Sequence, residues 1–167
     1  MQTRTLDSSP HASTANLVVH FVASVRAVFT TMLATTVNVG TPCSKNDPAP
    51  SYDVSAIIGF SGNATGSMVV SFTRETAAAV ASAFTGAELE HDSVDFADAI
   101  GELANMIAGG AKKNFGTLAN ISVPTVILGT GHSVARLHDV PCIVVPCSTK
   151  FGRFAIEVSL KSLQSTK

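Results

Sequence analysis

The sequence predicts an α+β domain made of a duplicated helix-strand-strand-strand unit, its antiparallel strands covered on one face by two long helices. Three observations predict it. Two segments carry apolar residues at helical spacing over about five turns. Each is followed by runs rich in β-branched residues and bounded by Gly, Pro and Asn. Stretches in the two halves also echo each other: TVNVGT at Thr36 to Thr41 resembles TVILGT at Thr125 to Thr130, and a glycine precedes both SMVVSF and RFAIEV. A chain of 167 residues is about one domain in length.

The elements follow in order. Met1 to Thr14 (MQTRTLDSSPHAST) is polar, contains Pro10 and has no period, so it is expected to be a mobile tail, leaving 15–167 as a single domain. From about Ala15 to Ala34, Leu17, Phe21, Val25, Val28, Phe29 and Met32 fall at the i, i+3, i+4 spacing of a helix with a broad buried face. A strand from Thr36 to Cys43 and the Pro-rich loop SKNDPAP come next. Tyr52 to Phe60 and Ser67 to Thr73, joined by SGNATG, read as a hairpin. Arg74 to Phe84 is Ala-rich and helical, with Gly86 suited to the position just past a helix end. The second long helix is expected from about Ser93 to Phe115, ending at Gly116. ISVPTVILG, VPCIVVPC and RFAIEVSL supply three further strands, the last two in hairpin order across STKFG.

Composition excludes several classes. Hydrophobic residues make up 46% and charged residues 14%, and the net charge of -1 comes from 11 Lys plus Arg against 12 Asp plus Glu. No basic cluster supplies affinity for phosphate backbones, so nucleic acid is not an expected partner. The most apolar stretch, Leu17 to Leu33, is interrupted by His20, Ser24, Arg26, Thr30 and Thr31, which argues for a buried soluble helix and against a membrane span. No apolar signal core precedes Leu17, so the cytoplasm is the default location. Cys43, Cys142 and Cys147 lack the paired spacing of a zinc site or a thiol redox motif, and the five histidines are scattered, so no metal site is expected.

The chemistry concentrates in DFADAIGELANMIAGGAKKNFG, Asp95 to Gly116. Wound at about 100° per residue, it separates into three faces. Phe96, Ile100, Leu103 and Ile107 form a core stripe. Asp98, Glu102, Asn105, Gly109 and Lys112 lie nearly opposite, within about 80° of arc. Ala97, Gly101, Ala104, Ala108 and Ala111 form a ridge almost without side chains, expected to be an exposed flank that another surface can approach closely. Gly109 and Gly110 each cost about 1 kcal/mol relative to Ala inside a helix, and close backbone approach is a sufficient reason to retain them. Asp95, Asp98, Lys112 and Lys113 complement the helix dipole. Glu102 and Asn105 lie mid-helix, where the dipole gives them no role; a solvated face and a partner-contacting face both remain open from the residues alone.

The sequence DAIGELAN resembles the signature of the CheC and CheX family of chemotaxis phosphatases: an acidic or Ser residue, Glu four positions on, Asn three further. Asp98, Glu102 and Asn105 match it, and Pro124 is the candidate for the proline that follows in the family. The flanking ELANMIAGGAKK and the duplicated order of elements extend the likeness from about Leu17 to Leu160. Members of the CheC type carry the Glu and Asn pair in both halves, members of the CheX type once. Here the first long helix has no Glu, and its Asn16 lies near its start. The CheX type is therefore the closer match, which implies a homodimer.

The resemblance implies an aspartyl-phosphate phosphatase that acts on a phosphorylated, CheY-like response-regulator receiver. Glu102 would bond the receiver's active-site Lys and Asn105 would orient the attacking water. Asp98, Gly101, Gly109 and Lys112 would lie against the receiver. It also implies no cofactor of the chain's own, the Mg²⁺ being the receiver's. An amide suits the water-holding task because it offers a donor and an acceptor without the charge that would repel a phosphoryl group. The rival is a non-catalytic receiver-binding or signalling adaptor of the same fold.

Overall fold

A computed structural model of the chain describes residues 10–115 and 119–162. Its first helix, α1 (Pro10–Leu33), starts earlier than the expected Ala15. Proline is favoured in a first helical turn, where its missing N–H has no intrahelical role, and this takes part of the expected tail into the helix. Thr14 is buried and its hydroxyl donates to the Leu160 carbonyl at 2.7 Å. The rest of that tail, residues 1–9, lies outside the described residues.

The expected strand after α1 divides into β1 (Asn38–Val39) and β2 (Cys43–Lys45). Pro42 lacks an N–H for the ladder, and between the two strands Gly40 N donates to the Pro146 carbonyl at 2.7 Å. The hairpin is β3 (Val54–Gly62) and β4 (Ala64–Phe72). Helix α2 (Arg74–Thr85) is capped by the Thr73 hydroxyl, which accepts from Thr76 N, and ends on Gly86 at φ 74°, whose N–H reaches the Ser82 carbonyl. Helix α3 (Val94–Lys113) is capped by the Ser93 hydroxyl, which accepts from Phe96 N at 3.1 Å. Its C-cap is Asn114; the expected stop at Gly116 falls outside the described residues. Strands β5 (Ala119–Ile121), β6 (Thr125–Leu128), β7 (Cys142–Thr149) and β8 (Gly152–Ser162) follow.

All the strands join one antiparallel sheet of order β1-β7-β8-β4-β3-β5, with β2 also along β7 and β6 also along β3. The halves are interlocked. The short strands after α1 pair with the hairpin of the second half, and those after α3 pair with the hairpin of the first. At the centre β4 and β8 run side by side from Ala64↔Ser162 to Phe72↔Phe154.

The registers correct the echo between TVNVGT and TVILGT. β1 lies opposite Cys147 and Ser148, next to the turn of its hairpin, as β5 lies opposite Phe60 to Gly62. β2 and β6 each pair with the opening residues of a hairpin. The stretch containing β1 is therefore not the counterpart of the stretch containing β6: the duplication is one of topology, and these similar words do not align with it. Gly66 likewise lies inside β4 and not in the turn. It has φ 139°, and a Cβ there would stand 1.9 Å from the Ser159 carbonyl oxygen.

The core lies between the sheet and the helices. Phe29 of α1 stacks on Phe154 of β8 (centroids 4.9 Å apart), which lies 5.4 Å from Phe72 of β4. Phe21, Val25, Phe96, Ile100, Leu103 and Ile107 are buried in the same core. By length and composition α1 could cross a membrane, but its apolar stripe packs against the sheet, the arrangement of a core helix. Met32, expected in that stripe, is instead 43% exposed. The other face of the sheet carries Ser55, Ser71, Ala155, Glu157 and Ser159, all buried. The loops before β3 and before β7 are tied onto it: Tyr52 N donates to Ser71 Oγ at 2.8 Å, and Ser159 Oγ donates to the Val140 carbonyl at 3.3 Å.

Candidate functional site

Helix α3 shows the three faces of the sequence analysis, with one reassigned. Phe96, Ile100, Leu103 and Ile107 are buried as expected. The small-residue ridge is not an exposed flank, because Gly101, Ala104, Ala108 and Ala111 are buried too. Small side chains here let other parts of the same protein come close. A Cβ on Gly110 would stand 2.3 Å from the Ser24 hydroxyl oxygen of α1, and that hydroxyl donates to the Ile107 carbonyl at 2.7 Å. A Cβ on Gly101 would meet Pro124 Cγ at 3.2 Å and Val126 Cγ2 at 3.3 Å. Gly101 is therefore covered from within, by the proline singled out in the sequence.

The remaining face is open. Asp98 and Glu102 are exposed, and Asn105, Gly109 and Lys112 are half-buried. A Cβ on Gly109 would meet nothing within 4 Å among the described residues. Among the described residues, neither Glu102 nor Asn105 has a side-chain hydrogen bond or ion pair. An acid and an amide one helical turn apart thus face outward with their bonding capacity unused.

Beside them is a depression of about 450 Å³ lined by Ala97, Asp98, Gly101, Glu102, Pro124 and Val126. One wall holds two carboxylates, the other is apolar. The apolar wall belongs to a break in the sheet edge between β5 and β6. Ile121 pairs with Phe60 and Thr125 with Ile57, so Ser122, Val123 and Pro124 face only Ile58 and Gly59. The extra residue makes a bulge, a device that re-aims side chains. At its crest Val123 is 83% exposed. The run ISVPTVILG, expected as one strand, is thus two with Val123 between them, a residue the sequence does not single out; the legible signal is Pro124, which cannot serve an unbroken ladder.

A second hollow, of about 560 Å³, lies elsewhere, between Lys45 to Pro48 and Val134 to Cys142. Near it, Glu157 is 1% exposed, and its carboxylate accepts from Lys45 Nζ at 2.7 Å, Ser51 N at 2.9 Å, Ser51 Oγ at 2.8 Å and Arg136 Nη2 at 2.5 Å. Arg136 Nη1 also donates to the Asp47 carbonyl at 2.9 Å. A buried carboxylate needs this many donors to offset its desolvation. The bonds run to the end of β2, the loop after it and the loop before β7, so the group acts as a clasp. His132 adds to it, one ring nitrogen 2.9 Å from the Gly129 carbonyl and the other 3.1 Å from Ser55 Oγ. Glu157 within RFAIEVSL was a legible sign of a buried acid, but its cationic partners are far away in sequence. Cys43 is exposed, whereas Cys142 and Cys147 are buried; burial raises both of these thiol pKa values, that of Cys147 to about 12.

Fold and site together define a duplicated helix-on-sheet domain that presents one polar helix face to solvent. The chain belongs to the CheX family: residues 54–148 match the family model for the chemotaxis phosphatase CheX. The CheY-P phosphatase CheX of Thermotoga maritima is 32% identical over 120 residues, 69% of this chain and 77% of that protein. The crystal structure of a chemotaxis protein CheX from Desulfovibrio desulfuricans is 33% identical and superposes with a TM-score of 0.78, over 87% of this chain and 99% of that one. CheX from Borrelia burgdorferi, in a complex with CheY, BeF₃ and Mg²⁺, has the same fold at 23% identity, with a TM-score of 0.72 over 87% of this chain and 98% of that one.

Proposed function

We propose that this chain accelerates the hydrolysis of the aspartyl phosphate on a CheY-like receiver by laying α3 into the receiver's active site. The observation that carries this reading is the pair Glu102 and Asn105, outward-facing and without partners among the described residues. The family relative from Thermotoga maritima bears the name CheY-P phosphatase, and the Borrelia burgdorferi relative has been captured with CheY.

In this reading the receiver holds the Mg²⁺ and the phosphoryl group. Water attacks phosphorus in line, the bond from phosphorus to the aspartyl oxygen breaks, and inorganic phosphate leaves as the carboxylate is regenerated. Asn105 holds the water: its carbonyl oxygen accepts from the nucleophile while its NH₂ donates toward phosphoryl oxygen. Glu102 pairs with the receiver's active-site Lys and sets the register of the helix. Asp98, Gly109 and Lys112 flank the pair on the same face, and Gly101 contributes by admitting Pro124. The protein works as a cytoplasmic homodimer, and light scattering would test the dimer against a protomer of 17.2 kDa.

The deciding experiment is the decay of a phosphorylated CheY-like receiver at saturating protein. Wild type shortens the half-life, and Asn105→Ala binds the receiver but leaves the half-life at that of the receiver alone. A wild-type half-life equal to that of the receiver alone would overturn the phosphatase reading and leave a receiver-binding adaptor.

A further inference from the structure

Val123 is the most exposed of the chain's large apolar side chains among the described residues, and the backbone on either side of it is tied to the sheet and to α3. Ser122 N donates to the Gly59 carbonyl at 2.9 Å, Gly59 N donates to Ser122 Oγ at 2.9 Å, and Ser122 Oγ donates to the Val123 carbonyl at 2.8 Å. On its other side Pro124 is seated against Gly101 of α3. Every polar group named here is engaged locally, so the side chain left over is apolar and solvent-facing at 83% exposure. An isolated exposed apolar residue needs no explanation. One on a pinned bulge is preorganised for contact, because little freedom remains to be lost on binding.

The neighbourhood specifies the partner's chemistry. The depression next to Val123 has Asp98 and Glu102 on one wall and Pro124 and Val126 on the other. No cation lines it. Two carboxylates facing an apolar wall complement a basic side chain with a long alkyl stem, the ammonium toward the acids and the stem along the proline and valine. A valine beside such a slot fits an apolar patch flanking that basic residue.

We infer that Val123, at the crest of the Ser122–Pro124 bulge, is a second anchor for the receiver, docking on apolar surface beside the lysine that enters the Asp98 and Glu102 slot. The inference rests on the receiver reading of the site. It assigns the bulge to affinity and partner choice and leaves the hydrolytic step to α3. Val123 touches no reacting atom, so its loss changes binding without changing the rate once the complex is full.

The test uses the full chain and a CheY-like receiver, with beryllofluoride for binding and acetyl phosphate for turnover. Val123→Asp should weaken binding of the beryllofluoride-loaded receiver about tenfold and raise the half-saturating concentration for dephosphorylation equally. The maximal rate and the circular dichroism should stay those of wild type. Val123→Ile should restore binding. Equal affinity for wild type and Val123→Asp would overturn this inference alone, as would a fall in the maximal rate with affinity unchanged. Failure of wild type to bind the receiver would overturn the receiver reading, and this inference with it.

Discussion

The two long helices occupy matching places in a duplicated fold, yet their solvent faces differ in kind. On α1 the exposed positions among the described residues are Ala15, Asn16, Val19, Ala23, Arg26, Ala27, Thr30, Thr31 and Met32, without an acid among them. On α3 the outward face carries Asp98, Glu102 and Asn105. The inner faces are alike: each drives Phe, Leu, Ile or Val into the core against the sheet, and the two helices meet closely where Ser24 lies against Gly110. Packing constrains a face that must fit its neighbours to fractions of an ångström. Solvent imposes no such constraint, so one copy of the helix can carry chemistry that the other lacks.

If that contrast is right, the largest loss of stability should come from the shared inner contact. Gly110→Leu places side-chain atoms where Ser24 already stands and should destabilise the fold by about 3 kcal/mol, seen as a lower midpoint in urea. An unchanged midpoint would mean that α1 can move away from α3 at little cost. The outer face should behave in the opposite way. Glu102→Ala should leave urea unfolding within about 0.5 kcal/mol of wild type while weakening receiver binding by about 2 kcal/mol, measured by titration calorimetry. A large loss of stability instead would place Glu102 in the fold's own support.

The start of α1 sharpens the comparison further. Deleting residues 1–14 removes the Thr14 hydroxyl from the Leu160 carbonyl and the first helical turn, and should cost about 1 to 2 kcal/mol. Urea unfolding that matches the full chain would show that the helix is only held from Leu17 onward. The smallest effect is expected at Gly109, where a Cβ meets nothing among the described residues. Gly109→Ala should stabilise the helix by up to about 1 kcal/mol, whereas Gly109→Leu should fold normally and weaken receiver binding. Equal destabilisation by Leu at positions 109 and 110 would erase the distinction between the outer and inner faces.

The neighbouring glycines show where reading by period reaches its limit. Both lie on a helix and both cost propensity, and from the sequence both serve close approach to something. Only the packed structure shows that Gly110 admits α1 and that Gly109 admits nothing among the described residues. The small-residue ridge was misread for the same reason: helical periodicity places residues on a face but does not say what covers it, and Ala is equally at home against solvent and against a neighbouring helix.

What the sequence determined by itself was local. Apolar spacing determined α1 and α3, Gly and Asn turns determined the hairpins, and Ser93 and Gly86 marked helix ends, because each depends on interactions within a few residues. The motif of Asp98, Glu102 and Asn105 was legible because all three lie on one helix, where spacing alone determines their geometry. What only the tertiary structure decided depends on contacts between distant segments. These include the exchange of edge strands between the halves, the Pro124 seat on Gly101, the bulge that lifts Val123 into solvent, and the Lys45, Ser51 and Arg136 clasp on Glu157. Each joins elements whose separation along the chain carries no periodic signal, and each is set by which surfaces remain to be buried once the local elements have formed.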